Sequence, residues 1–448
     1  MIEHEAGHAS NVIFGLDPLL AATALLVAVY AVIISERVNR AVIALIGAML
    51  MIWCGILNQE QALEGIDFNT IALLVGMMII VSITRKSGVF EFLAIWSAKK
   101  VQASPAGILA MLAVVTALLS AMLDNVTTVL LVVPVTLVVT EELKVDPYPF
   151  LFSQILASNI GGTATLIGDP PNILIGTQVG LTFNDFVVNL APVVLVVLVV
   201  HVALMHLIWG RRLKAAPAER NKVMAFEERR TITDVRLLKQ SLSVIAVVIV
   251  TFVFARQLNV EAGVIALSGA AALLALDNVG KSAEKQTENV THVFGEVEWI
   301  TIFFFVGLFI VIAGVEHSGL LQILANELVS LTGGDLRVTG LAIIWASAVL
   351  SAIVDNIPFV ATMIPLVKAM APTFGGPEGL MPLWWALSLG ACLGGNGTLV
   401  GASANLTVAG IAERSGVRFP FVKFLKLAFP LMLLQVAIAQ VYLAWRYL

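Results

Sequence analysis

The chain has 448 residues, of which 59% are hydrophobic and 12% charged, with a mean hydropathy of +0.96 and a formal net charge of −4. Soluble domains carry about 25% charged residues and roughly 45–50% apolar ones, so the composition excludes a soluble enzyme or a nucleic-acid-binding module and indicates an integral membrane protein. Only Cys54 and Cys392 are cysteines, both in apolar segments without CxxC spacing, which supports neither a disulfide framework nor a zinc site.

Residues 1–16 open with MIEHEAGHASN and lack the basic region and small-residue cleavage site of a signal peptide. They are expected to stay attached as an extracytoplasmic segment. Apolar runs near the ~20 residues that cross a bilayer then recur as helices, because barrel strands would alternate polar and apolar residues. In the first half the expected crossings are 17–35, 39–56, 69–84, 150–176 and 186–209. Between them 105–140 turns back at Asp124-Asn125 as a re-entrant hairpin. Two ordinary spans joined by a tight polar turn would give the same pattern. Residues 211–240 are basic and polar and form a linker.

The second half, 241–448, repeats the first. GMMIIVSITRKSGVF (76–90) aligns with GLFIVIAGVEHSGLL (307–321) at an offset of 231, and LDNVTTVLLVVP (123–134) with VDNIPFVATMIP (354–365) at the same offset. GGTATLIGDPPN (161–172) falls on GGNGTLVGASAN (394–405) at 233. One nearly constant shift linking three separate motifs is an internal duplication. The second hairpin then covers 339–370 and the second broken helix 382–410.

Five crossings per repeat, an odd number, invert the second repeat relative to the first (17–210). Charge agrees: 22 of the 26 Lys and Arg fall in loops that one topology places on a single side, leaving Arg256, Arg337, Lys368 and Arg446. The positive-inside rule makes that side cytoplasmic and leaves both termini outside. The expected fold is thus an all-α polytopic membrane protein with two inverted repeats, each of five transmembrane helices plus one re-entrant hairpin. Inverted repeats with discontinuous helices are the architecture of secondary transporters, whose sites lie near the midplane.

The broken helices follow from the residues themselves. Gly161-Gly162, then Gly168-Asp169-Pro170-Pro171, cannot continue a helix, since proline lacks an N–H and glycine is permissive. Pro suits the first turn of a new helix, with Asp169 before it as N-cap and Ser403 at a similar cap position in the second copy. Unwound backbone at membrane depth requires protein or a water-filled cavity around it. Four joints meeting at the centre bring together Asp124, Asn125, Thr165, Asp169, Asn172, Asp355, Asn356, Thr398, Ser403 and Asn405. Capping alone also accounts for the Asp-Asn tips. Yet an intramembrane carboxyl costs ~2.5 kcal/mol or more and marks proton relays, which favours function for the cluster.

The expected roles are proton coupling for Asp169, Asp124 and Asp355 and substrate binding for the others. Asp169 leads, because its counterpart is Ala402 and a proton site can be asymmetric. No Lys or Arg occurs in the four motifs, which favours neutral polar solutes or cations over anions. No metal or cofactor is expected: the histidines (His4, His8, His201, His206, His292, His317) form no HExxH pair, and no Walker sequence occurs. Energy then comes from an ion gradient or a separate ATPase subunit.

At LDNVTTVLLVVPV, NIGGTATLIGDPPNILIG, VDNIPF and GGNGTLVGASAN the chain resembles the ArsB and P-protein (ArsB/NhaD-like) branch of the ion transporter superfamily, over nearly its whole length. The resemblance implies an arsenite or antimonite efflux permease, usually proton-coupled, or a relative such as the P protein or sodium/proton antiporters. It further implies a scaffold and a transport domain, homodimers through the scaffold, an inner-membrane location and, in some systems, an ArsA-type ATPase. Dicarboxylate carriers of the wider superfamily carry Ser-Asn-Thr at the hairpin tips, whereas here the tips are Asp-Asn. GDPPN and LDNVTT lie closer to the P-protein pattern than to the enterobacterial arsenite pumps. Arsenite, a neutral trihydroxide at pH 7, suits Asn, Thr and Asp hydroxyl recognition. Two separated cysteines cannot supply three thiolates.

Overall fold

The computed structural model describes residues 12, 15–35 and 37–448, all helix and loop without strands. Most of the 1–16 segment, with His4 and His8, lies outside the described residues. Among the described residues, nine helices are long and apolar enough to cross a membrane.

The first repeat begins with spans Pro18–Ser35, Arg40–Trp53 and Phe68–Arg85. Hairpin 1 follows, made of Pro105–Met122 and Asn125–Glu142, then broken helix 1, made of Tyr148–Gly162 and Pro170–Val179, and the span Phe183–Met205. The second repeat matches this order. Its spans Val235–Val253, Ala262–Asn278 and Trp299–His317 precede hairpin 2 (Leu336–Ile353, Asn356–Ala369). Broken helix 2 (Met381–Gly394, Ser403–Arg414) and the span Phe421–Arg446 complete it.

The aligned motifs have structural meaning. A Cβ on Gly76 would stand 2.6 Å from the backbone carbon of Ala266, and one on Gly307 would stand 2.5 Å from that of Ala44. Each repeat therefore packs its third span against the second span of the other, and only glycine allows that approach. Gly88 (φ +77°) and Gly319 (φ +82°) turn the chain into short helices, Val89–Lys100 and Leu320–Leu331, which a search for full-length spans passes over.

Hairpins and broken helices are bonded alike in both halves. Ser120 donates to the carbonyl of Ser158 and Ser351 to that of Ala391, both at 2.7 Å. The sequence offsets of 231 and 233 are thus also structural.

The linker is docked rather than loose. Lys99 pairs with Glu228 at 2.5 Å, Lys144 with Glu219 at 3.6 Å and Lys222 with Glu142 at 3.8 Å. Thr233 N–H donates to Ser87 O at 3.1 Å. The next helix starts at Val235, with Asp234 accepting from the N–H groups of Arg236 and Leu237, so the linker ends at Asp234 rather than at 240. On the same face the Tyr148 ring lies 4.8 Å from that of Phe419, and Lys423 Nζ stands 3.7 Å over Tyr148. Arg256 meets Asp185 (3.1 Å) and Gln61 meets His317 (3.3 Å) at helix ends and short connecting helices that the inverted topology places on the other face.

Candidate functional site

Both hairpins end their first helix in extended backbone, at Leu123 and Val354, and restart it after an Asp. Asp124 accepts from Thr127 N–H at 2.8 Å and also from the Thr127 hydroxyl; Asp355 accepts from Ile357 N–H at 3.1 Å. Capping is thus real at both tips. It accounts for Asp124 fully and for only one oxygen of Asp355.

The next residues, Asn125 and Asn356, open the returning helices and reach the same acceptor. Asn125 Nδ2 donates to Asp169 Oδ1 at 3.2 Å and Asn356 Nδ2 at 3.4 Å. Asp169 is fully buried, and its Oδ2 has no protein partner. It holds the N-cap position of Pro170–Val179, but its side chain caps nothing, which corrects the expectation of a capping side chain. The reason is local: a cap accepts from the second or third helical N–H. Pro171 has none, and the Asn172 N–H is taken by the Asp169 carbonyl at 2.9 Å. The Asp-Pro-Pro sequence thereby frees the carboxyl.

In the second copy the N-cap is Ala402, and Ser403 is the first helical residue, another correction. Ser403 Oγ turns into the site and donates to Asp355 Oδ2 at 2.9 Å.

Four other expected substrate residues hold the breaks together. Thr165 donates to Ala121 O and Thr398 to Ala352 O, both at 2.6 Å, pinning each unwound segment to its hairpin. Asn172 Nδ2 serves the carbonyls of Gly162, Thr163 and Thr165 (3.4, 3.1 and 2.9 Å), and Asn405 Nδ2 those of Gly395 and Thr398 (2.7 and 2.8 Å). Their oxygens are occupied across the repeat boundary. Asn172 Oδ1 accepts from Ser388 Oγ (2.6 Å) and Cys392 Sγ (3.5 Å), and Asn405 Oδ1 from Asn159 Nδ2 (2.9 Å). Helix ends at membrane depth must find such partners, and these residues supply them.

Three site groups come from outside the motifs. Arg40, in the first turn of its span, places Nη1 3.0 Å from Asp355 Oδ2 and 2.6 Å from Ser403 Oγ, with Nη2 3.4 Å from Thr301 Oγ1. Glu298 and Thr301 arrive at the start of Trp299–His317. Together with Asp124, Asn125, Asp169, Asn356 and Ser403 they enclose a cavity of about 20 Å³, near the space of one water molecule. The absence of basic residues from the motifs therefore does not carry over to the site. Among the described residues Arg40 is the one guanidinium lining it, and its position after Asn39 in a short basic loop reads in the sequence only as an orientation signal.

Beside this cavity a vestibule of about 360 Å³ opens past Asn39 and Thr407, and Arg40, Asp355 and Ser403 form its inner wall. A second vestibule of about 370 Å³, around Thr177, Thr182 and Arg256, ends at Leu166 without reaching the carboxyl groups.

Known proteins place this architecture. Residues 30–390 match the family described as CitMHS, citrate transporter. An uncharacterized transporter of Mycobacterium tuberculosis is 41% identical over 430 residues, covering 95% of this chain and 98% of its own. The human P protein is 34% identical over 94% of this chain and 59% of its own length. Among solved structures, the YdaH transporter of Alcanivorax borkumensis superposes with a TM-score of 0.60 at 14% identity, over 96% of this chain and 98% of its own. MtrF of Neisseria gonorrhoeae gives 0.58 at 11%, over 97% and 96%. These two share the fold, a secondary-transporter architecture of inverted repeats. The match over most of its length makes the chain a member of the CitMHS citrate transporter family, and its relatives are membrane transporters.

Proposed function

We propose that the protein is a proton-coupled secondary transporter of the inner membrane that exports a small neutral polyhydroxy solute, arsenite or antimonite as the trihydroxide, in exchange for protons by alternating access. The observation that carries this reading is Asp169: a buried carboxyl held on one oxygen by asparagines of two opposed hairpins, with the other oxygen unpartnered. Such a group can take and release a proton while Asn125, Asn356 and Ser403 exchange hydrogen bonds with solute hydroxyls. Asp124 and Asp355 are the other carboxyls of the tips, one on its own cap and one on Arg40.

Charge argues against citrate itself. One guanidinium faces Asp124, Asp169 and Glu298 around the cavity and pairs with Asp355 on its vestibule side, and a polyanion would add to that acidic excess. A family name does not fix the substrate. The acidic excess and the water-sized cavity also favour a second reading, sodium/proton exchange at the same site. In either case the basic face is cytoplasmic, with both termini outside. A homodimer is the expected assembly, and an ArsA-type ATPase would be an accessory rather than a requirement.

Everted vesicles with an imposed pH gradient test this directly. Arsenite accumulation that collapses with the gradient supports the first reading. Gradient dissipation by sodium without arsenite movement supports the second. Accumulation of citrate with neither effect overturns both.

A further inference from the structure

The two hairpin tips carry the same Asp-Asn pair, yet their carboxylates keep different company. Asp124 folds back onto Thr127 of its own helix. Asp355 reaches across to Arg40 and Ser403 at 3.0 and 2.9 Å. The difference originates in one position. Gly307 packs on Ala44 as Gly76 packs on Ala266, which makes Ala262 the counterpart of Arg40, so the second repeat has no guanidinium to offer at the position from which the first repeat pairs with hairpin 2. A second tie acts on hairpin 2 alone: Tyr30 OH, from the first span, donates to Pro358 O at 2.7 Å.

Arg40 and Ser403 line both the small cavity and the vestibule beside it. The wall between the two is therefore polar and non-covalent, made by a guanidinium that bonds a serine at 2.6 Å and a carboxylate at 3.0 Å and lies 5.2 Å from the Phe304 ring centroid. Parting it costs hydrogen bonds that an entering hydroxylated solute can replace.

We propose that Arg40 is a positioning residue and the gate of this transporter. It fixes Asp355 as its counter-ion, separates Asp169 from the vestibule, and must leave Asp355 and Ser403 before solute passes between vestibule and cavity. Asp169 is then the proton-exchanging carboxyl, and Asp355 is bound to the gate. The charged groups facing the guanidinium are Asp355 from hairpin 2, paired with it, and Glu298 at the start of the neighbouring span, with Asp124 and Asp169 across the cavity. The proposal rests on the transport reading above, but its test is independent of which solute is carried.

A single cysteine replaces Met78, which lines the cavity and not the vestibule, in a chain with Cys54→Ser and Cys392→Ala. Vesicles exposing the face that bears the linker are treated with an impermeant maleimide. Labelling is expected to be slow with Arg40 present, at least tenfold faster with Arg40→Gln, and slow again with Arg40→Lys. Pre-loaded Arg40→Gln vesicles should also keep solute counterflow while losing accumulation driven by pH. Equal labelling in Arg40 and Arg40→Gln chains with the same melting temperature in detergent overturns the gate. Should Arg40→Gln not fold, Ser403→Ala removes one side of the wall, and its labelling should rise a few-fold; an unchanged rate overturns the proposal equally. A normal labelling series combined with no arsenite transport removes the substrate reading alone.

Discussion

Asn125 and Asn356 stand 231 positions apart in the sequence and donate to one oxygen of Asp169, at 3.2 and 3.4 Å. The duplication has thus produced a pair of equivalent donors around a single unduplicated carboxyl, whose counterpart is Ala402. Symmetric arms holding an asymmetric group suit a proton carrier that both access states must reach.

Asp169→Asn keeps the volume and one acceptor oxygen while removing titration. Since the Asp169 side chain caps no helix, the variant should fold with a melting temperature close to that of the parent. Accumulation of solute driven by a pH gradient should fall at least tenfold, with counterflow exchange retained. Vesicle flux measured with and without the gradient decides the matter, and an unchanged pH dependence would move the proton to Asp124.

Asn172 and Asn125 separate bracing from transport. Asn172 Nδ2 satisfies three carbonyls of the unwound segment, and buried hydrogen bonds are each worth about 1 kcal/mol, more when a partner is left unpaired. Asn172→Ala is expected to destabilise the protein by roughly 2–4 kcal/mol on that scale. Asn125→Ala should lower transport far more than the melting temperature. Thermal unfolding in detergent, run beside flux assays, distinguishes the two.

Cys392 is buried against Asn172 at 3.5 Å and Cys54 lies in the turn after the second span, so the two thiols do not form a ligand set. The double variant Cys54→Ser, Cys392→Ala should retain transport with a modest loss of stability. Normal folding with complete loss of metalloid flux would show that thiol coordination takes part.

Cysteines introduced singly at Ala225 and Tyr447 report topology. Ala225 belongs to the docked linker and Tyr447 follows the last span. In whole cells an impermeant thiol reagent should label position 447 and spare 225. The reverse result would invert the protein in the membrane.

What the sequence discloses here and what it conceals have physical causes. The hairpins and breaks are legible because Asp-Asn and Gly-Gly interrupt apolar periodicity twice at a nearly constant offset, with Pro-Pro marking the first break. Asp169 stands out because its partner position holds alanine. Arg40 is hidden because its contact with Asp355 spans 315 positions and its own segment carries no motif. The bracing roles of Thr165, Asn172, Thr398 and Asn405 are hidden for another reason: the side chains that satisfy unwound backbone are the same types that would bind a hydroxylated solute. Only their partners tell these uses apart. Val89–Lys100 and Leu320–Leu331 escape because 12-residue helices fall below the length that a bilayer demands.

The exchange of glycine contacts, Gly76 on Ala266 and Gly307 on Ala44, bears on how the protein is made. A ribosome adding about 5–20 residues per second delivers Ala266 some ten to forty seconds after Gly76, so the newly inserted first half must wait in the bilayer with its packing face covered only by lipid. Helix association in a membrane depends on such close backbone contact. Each half therefore reaches its final form only on the surface of the other, and two half-chains cut at the linker should be recovered intact from cells that synthesise both and degraded in cells that synthesise one.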